Sequence, residues 1–374
     1  MSLMRRLLLL NGLAILAVVA HHATRWGYTA MFWWTDRYLP VAVPNYDQVG
    51  SAADITLAIV RKLTVFAVPA FLFVSGFFVT YAARGSGGGL KWKTVLTRVV
   101  GLLVPYLIWS LATFASEAIE GLRYDWQNYV SRLLLGDVFF FVPLLCKLYL
   151  LAPFIVPLAQ KRSRRLLVGL GLLLFAVVAL FYARLYGDLI GAEWGGLGLV
   201  ISWLPNSAVL RWAFFFALGM VCALHLSQLK DWLAARRWWL LGATVLFGCL
   251  SVLEAELAVH ATSAADWWRS SPFTVPSTLY AIGVVLSFLA FGEVKLPLQR
   301  YVYDLGKSSL GIYLLHYKVL EFAARGLQKI LPGLLAYTIP FVLVIVVLAV
   351  ALPLALMWLV EKSPLRRYHR YLFG

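Results

Sequence analysis

The chain has 374 residues, 62% of them hydrophobic and only 13% charged, and a formal net charge of +16. A soluble domain carries about 25% charged residues, so this composition excludes an ordinary water-soluble fold and places the apolar excess against lipid. It excludes disorder as well, because there is ample apolar surface to bury.

A membrane-crossing helix needs about 20 mostly apolar residues. In chain order the segments 4–24, 61–83, 95–116, 138–159, 165–184, 207–227, 238–258, 273–292, 308–328 and 334–360 meet that length. The predicted fold is an all-α polytopic transmembrane bundle of about ten spans, forming a single domain over 1–374. The first segment follows Arg5 and Arg6 as a secretory leader would, but His21 and His22 precede bulky aromatics rather than a small-residue cleavage site. It therefore reads as a span.

With the N-terminus placed inside, Lys and Arg crowd every second connection: Arg84 to Arg98, Lys161 to Arg165, Lys230 to Arg237, Lys295 to Lys307, and Lys362 to Arg370. That is the positive-inside pattern. It predicts cytoplasmic termini and a multi-pass protein of the cell (inner) membrane, with the connections at 25–60 and 117–137 outside. The basicity is then a topology signal, and no nucleic-acid partner is expected. Cys146, Cys222 and Cys249 lie singly in apolar runs, without metal-ligand spacing or a disulfide framework, so no metal site is expected.

Two loop features have bland readings. The aromatic residues Trp26, Phe32, Trp33, Trp34, Tyr38, Tyr46, Trp267 and Trp268 read as an interfacial belt; a surface for stacking sugar rings is the sharper alternative. The Gly-rich run from Arg84 to Lys93 is a flexible inner linker. It lacks the Gly-Lys-Ser/Thr end of a phosphate loop.

Ionisable groups inside a span cost roughly 2.5–3.5 kcal/mol each, so each needs a reason. His22 lies about 24 Å beyond Arg6 at about 1.5 Å per residue, in the outer third of the bilayer. Adjacent helical residues point about 100° apart, so only one of His21 and His22 faces the bundle interior. His316 lies near mid-membrane. Lys318 and Glu321, three apart on one helix, read as a structural pair. Lys147, in the fourth span, pairs with Glu321 or binds substrate. Asn11, in the first span, reads equally as a helix–helix hydrogen bond or as a site residue.

Six blocks, in order along the chain, resemble the acyltransferase 3 family of membrane acyltransferases. They are Asn11-Gly-Leu-Ala-Ile-Leu-Ala-Val-Val-Ala-His-His22, Phe71-Leu-Phe-Val-Ser-Gly-Phe-Phe78, Arg98-Val-Val-Gly-Leu-Leu-Val-Pro-Tyr106, Phe139-Phe-Phe-Val-Pro-Leu-Leu-Cys-Lys-Leu-Tyr149 with Pro153, Leu305-Gly-Lys-Ser-Ser-Leu-Gly-Ile-Tyr-Leu-Leu-His316, and Val360-Glu-Lys-Ser-Pro364. The resemblance implies transfer of an acyl group from cytoplasmic acyl-CoA, used as co-substrate with no permanently bound cofactor, to a hydroxyl of a sugar or glycan acceptor on the outer side. It implies His22 as general base, with His21 and His316 beside it, and Ser75 and Tyr313 as candidate oxyanion donors. Arg98, Arg6, Asn11 and Lys147 are the candidate contacts to the acyl-CoA. The family's first helix reads Arg, ten residues, His; here Asn11 stands at the arginine position. Either Arg5, Arg6 or Arg98 supplies the missing charge, or the donor differs, or activity is lost. A membrane transporter or flippase for a small polar substrate or glycan precursor would also place His, Lys and Glu inside its spans. No internal repeat of the kind many transporters carry is visible.

Overall fold

The computed structural model describes residues 3–34, 50–84, 89–191, 194–195, 198, 208–261, 265–292, 294 and 297–374, and every regular element among them is helical. The principal helices are α1 (Leu3–Thr29), α2 (Ala52–Leu63), α3 (Ala67–Arg84), α4 (Trp92–Ile119), α5 (Trp126–Leu135), α6 (Phe141–Ile190), α7 (Ala208–Leu224), α8 (Leu226–Ala235), α9 (Arg237–Ala261), α10 (Ala265–Ser270), α11 (Val275–Ala290), α12 (Gln299–Lys307), α13 (Ser309–Ile330), α14 (Thr338–Lys362) and α15 (His369–Phe373).

Among the described residues, seven stretches are long and apolar enough to cross a bilayer: Leu3–Phe32, Ala52–Ala83, Trp92–Ile119, Phe141–Gly187, Arg237–His260, Trp268–Ala290 and Thr338–Lys362. Val209–Leu224 with Leu226–Ala235, bent by 101° at the break, makes an eighth. The predicted ten counts α6 twice and adds α13. Phe141–Gly187 runs 47 residues, about 70 Å of helix, against a hydrocarbon core of about 30 Å. Arg162, at φ −142° and ψ 45°, breaks its helical geometry between the two predicted segments. α13 has the length of a span, but Lys318, Glu321 and Arg325 keep it out of the apolar set.

The predicted outer connection at 25–60 is shorter than hydropathy suggested. α1 runs on to Thr29 and a π-turn to Trp34, and α2 starts at Ala52, where the Ser51 hydroxyl accepts from the Asp54 amide. Asp54, Arg61 and Lys62 lower the hydropathy of this stretch, yet they are buried against other helices rather than looped into water. Tyr38, Tyr46, linker residues 85–88 and the side chains of Trp33, Trp34 and Trp267 lie outside the described residues.

α1 sits at the centre, packed on α3, α12, α13 and α14. Two reciprocal glycine contacts set the closest helix crossings. A methyl group at Gly12 would run into the Val302 carbonyl, and one at Gly306 into the Leu8 carbonyl, so α1 and α12 touch backbone to backbone. Gly76 meets the Phe216 carbonyl and Gly219 the Phe73 carbonyl, which closes α3 on α7 in the same way. In lipid, close backbone approach replaces the hydrophobic drive that holds soluble helices together.

Candidate active site

His22 leaves α1 where it faces α13. Its ring lies 5.2 Å, centroid to centroid, from His316 and 6.0 Å from Tyr317. His316 is 1% exposed, and its Nδ1 is 2.7 Å from the Tyr313 carbonyl oxygen. A carbonyl only accepts, so Nδ1 carries the proton and Nε2 keeps its lone pair. That Nε2 is buried and has no hydrogen-bond partner among the described residues. The Tyr313 ring also packs against His316, and its hydroxyl accepts from the Phe141 amide at 3.3 Å.

His21 turns to another helix. Its Nδ1 is 3.1 Å from the Arg61 carbonyl and 3.1 Å from Thr64 Oγ1, at the short 3-10 turn Thr64–Phe66 between α2 and α3. It ties α1 to that break, while His22 faces the interior.

Two cavities meet at His22. The first, of about 460 Å³, runs between α1, α2, α7 and the turn before α11, and is lined by Val18 and Tyr313 as well as by Arg25, Arg61 and Arg211. The second, of about 760 Å³, runs between α1, α4 and α13, past Trp26, Tyr124, Tyr317 and Gln328. Only His22 and Arg25 line both. In the second cavity Lys318, Arg325, Glu120 and Glu321 form a paired network. Lys318 bonds Glu321 at 2.8 Å and approaches Glu120 at 3.6 Å, and Arg325 reaches Glu120 at 2.9 Å and Glu321 at 2.7 Å. Glu321 is thus held on its own helix and by Glu120's partners, not by Lys147, which is exposed on α6.

The roof of the first cavity is braced from behind. Buried Lys62 donates to the Trp268 and Ser271 carbonyls at 2.9 and 3.1 Å. Arg269 bonds Asp54 at 2.8 Å and Glu256 at 2.7 Å. These contacts fix the turn between α10 and α11, from which Ser270 and Phe273 face the cavity.

The other residues predicted from the sequence lie elsewhere. Ser75 is half-buried next to the Gly76 crossing and lines neither cavity. Arg98 is half-buried, donates to the Phe78 carbonyl at 3.4 Å and sits 5.7 Å from the Tyr149 ring. Arg6 is 4% exposed and donates to the carbonyls of Phe288, Phe291 and Val294. Phe288 lies in the last turn of α11 and Phe291 and Val294 lie just beyond it, so Arg6 holds the C-terminal end of that helix and the chain leaving it. Asn11 lies about 16 Å from His22 along α1, and its buried side-chain oxygen has no partner among the described residues. Sequence reasoning missed Arg25, Arg61, Arg211 and Tyr317.

A family model described as an acyltransferase domain, the acyltransferase 3 type, matches residues 6–358. The chain is also similar to YfiQ of Bacillus subtilis (strain 168), a protein provisionally named a membrane-bound acyltransferase; the two are 24% identical over 330 residues, 84% of each chain. No solved structure matches it.

Proposed function

The chain belongs to the acyltransferase 3 family and is a multi-pass membrane acyltransferase; on that premise we propose that it moves an acyl group from cytoplasmic acyl-CoA to a hydroxyl of a sugar or glycan acceptor at the outer face, with His22 as general base. The whole chain is read as one acyltransferase unit in the cell membrane, with both termini cytoplasmic. The observation that carries the reading is the position of His22, opposite His316 and shared by two cavities. A two-substrate transfer needs a base within reach of both partners.

The acceptor fits the larger cavity. Trp26, Tyr124 and Tyr317 offer aromatic faces, and Gln328 and the paired carboxylates offer hydrogen bonds for hydroxyl groups. His22 takes the proton as the acceptor oxygen attacks the thioester carbonyl. The new C–O bond forms, the C–S bond breaks, and the proton passes to the departing thiolate, giving an ester and free thiol. His316 lies beside this base as a positioning residue. Its proton is committed to the Tyr313 carbonyl, so its lone pair is available to orient the His22 ring. Tyr313, on the wall of the smaller cavity, is the candidate oxyanion donor. At the opposite end of α1, Arg98 remains the candidate contact for the anionic end of the CoA.

The test is transfer of labelled acyl from acyl-CoA in detergent-solubilised protein. His22→Ala is expected to abolish transfer with folding intact, and retention within threefold of wild type would remove the base assignment. Cysteine labelling should place 84–94 and 117–137 on opposite faces, with 84–94 inside; one common face for both would sink the orientation.

A further inference from the structure

A third cavity lies away from His22 and shares no lining residue with the two described above. It is a groove of about 560 Å³ between α4 and the C-terminal helix α15. Two adjacent rows of α4 residues form one side of it. Lys93, Thr97, Gly101 and Pro105 recur every fourth residue along the first row, and Leu96, Val100 and Val104 along the second. Residues at that spacing share one helix face, and the first row runs about 18 Å at about 1.5 Å per residue. A methyl group added at Gly101 would meet nothing within 4 Å, so the missing side chain leaves the floor of the groove open. Arg370 and Tyr371 line the groove from α15. That helix is pinned in place: Trp109 Nε1 donates to the Leu372 carbonyl at 2.7 Å, and the buried Phe373 ring stacks on Trp109. Arg370 therefore stands on a fixed wall rather than on a loose tail.

The groove joins two kinds of surface. Leu96 and Val100 are exposed, as are Leu107, Ile108 and Leu111 further along α4. Because α4 is long and apolar enough to span the bilayer, these side chains meet lipid tails rather than water. Lys93 and Arg370 are exposed cations at the same groove, close in sequence to Lys91, Arg366 and Arg367. A molecule that fills the groove must offer hydrocarbon to the one surface and negative charge to the other. A phospholipid with a net negative head group does both, whereas a zwitterionic one gains less from the two cations. Basic pockets between spans bind acidic head groups in this way. We propose that the groove between α4 and α15 binds an anionic phospholipid, with its phosphate at Lys93 and Arg370 and an acyl chain along Leu96, Val100 and Val104. The site requires only that α4 lies in a membrane, so it is independent of the acyl-transfer reading.

The test uses the full-length protein in a neutral detergent, titrated with phosphatidylglycerol or with phosphatidylcholine. Bound lipid is counted by native mass spectrometry, and the melting shift is followed in parallel. Phosphatidylglycerol should bind saturably and at least tenfold more tightly than phosphatidylcholine. Lys93→Gln combined with Arg370→Gln should weaken phosphatidylglycerol at least tenfold, about 1.4 kcal/mol, and leave phosphatidylcholine unchanged. Arg236→Gln combined with Arg237→Gln, which removes two cations from another basic connection, should leave both lipids as in wild type. Gly101→Leu fills the floor of the groove with every charge intact and should also weaken phosphatidylglycerol; it serves as the decisive variant if the charge variant does not fold. Equal affinity for the two lipids, or unchanged phosphatidylglycerol affinity in a folded groove variant, overturns the proposal. So does glycerol phosphate binding as tightly as the whole lipid, which would reduce the groove to a phosphate site. Displacement of phosphatidylglycerol by acetyl-CoA would overturn it as well and hand the groove to the acyl donor.

Discussion

Between Arg6 and Gly12, α1 is closed against its neighbours; between His22 and Thr29 the same helix borders two cavities. At the closed end, Gly12 lies against the Val302 backbone, and Arg6 bonds carbonyls at the end of α11 and in the chain just after it. At the open end, polar side chains face space rather than backbone. One helix thus combines a rigid anchor with a reactive tip. Preorganised chemistry needs that arrangement, because a base displaced by about 1 Å can lose a hundredfold in rate. Polar residues at the two ends therefore fail in different ways when removed, the anchor in stability and the tip in turnover.

The largest expected effect is at the tip. His22→Ala should reduce acyl transfer by about 10²- to 10⁴-fold, the range for loss of a general base, with a melting temperature near that of wild type. His21→Ala should behave more like an anchor substitution, because its ring bonds the Arg61 carbonyl and Thr64. If His21→Ala and His22→Ala cost the same in turnover, the division between them is wrong.

Next is the anchor. Arg6→Ala strips these donors from the α11 end and leaves the Phe288 carbonyl in its last turn without that partner, at about 1–3 kcal/mol in stability. Transfer per folded molecule should stay within a few-fold of wild type, and the Michaelis constant for acyl-CoA should not change. A large rise in that constant with unchanged melting would return Arg6 to the donor site.

His316→Gln tests the pair between these extremes. Glutamine keeps a hydrogen-bonding group but cannot hold a ring against His22. The expected loss is about tenfold in kcat, with little change in KM for either substrate, as befits a group that acts through His22. A change in KM alone would mean that His316 lines a binding surface instead.

Much of this division was legible in the sequence. Apolar runs located the helices, and the single-face geometry of a helix separated His21 from His22 before any coordinates. Charges misled the reading in two places. The second predicted span begins at 61 rather than 52, because hydropathy cannot tell a buried partnered charge such as Asp54 from a loop charge. Arg25, Arg61 and Arg211 looked unrelated, since no spacing rule links residues that meet only through the packing of α1, α2 and α7. Gly12 and Gly76 belonged to resemblance blocks without a stated reason; the reason lies in the partner helix, where Val302 and Phe216 approach.

The smallest expected effect concerns the acceptor cavity at the open end. Glu120 lies just past α4, where partial burial works against its charged form, but the Ser116 hydroxyl, Lys318 and Arg325 outweigh it and hold its carboxyl below the usual carboxylate range. A depressed carboxyl contributes stability that is present above its unfolded pKa, near 4.3, and is lost as pH falls through the lower folded value. Between pH 5 and 8 the Glu120 network is therefore constant. Any fall in transfer as pH drops through that window therefore comes from a group other than Glu120. Glu120→Gln should consequently leave the acidic limb of the pH–rate profile in place. It should cost less than about 1 kcal/mol in stability, as partly exposed ion pairs do, and raise the acceptor KM by a few-fold at most. A limb that moves or vanishes in Glu120→Gln would show that the paired charges of the larger cavity set the pH response.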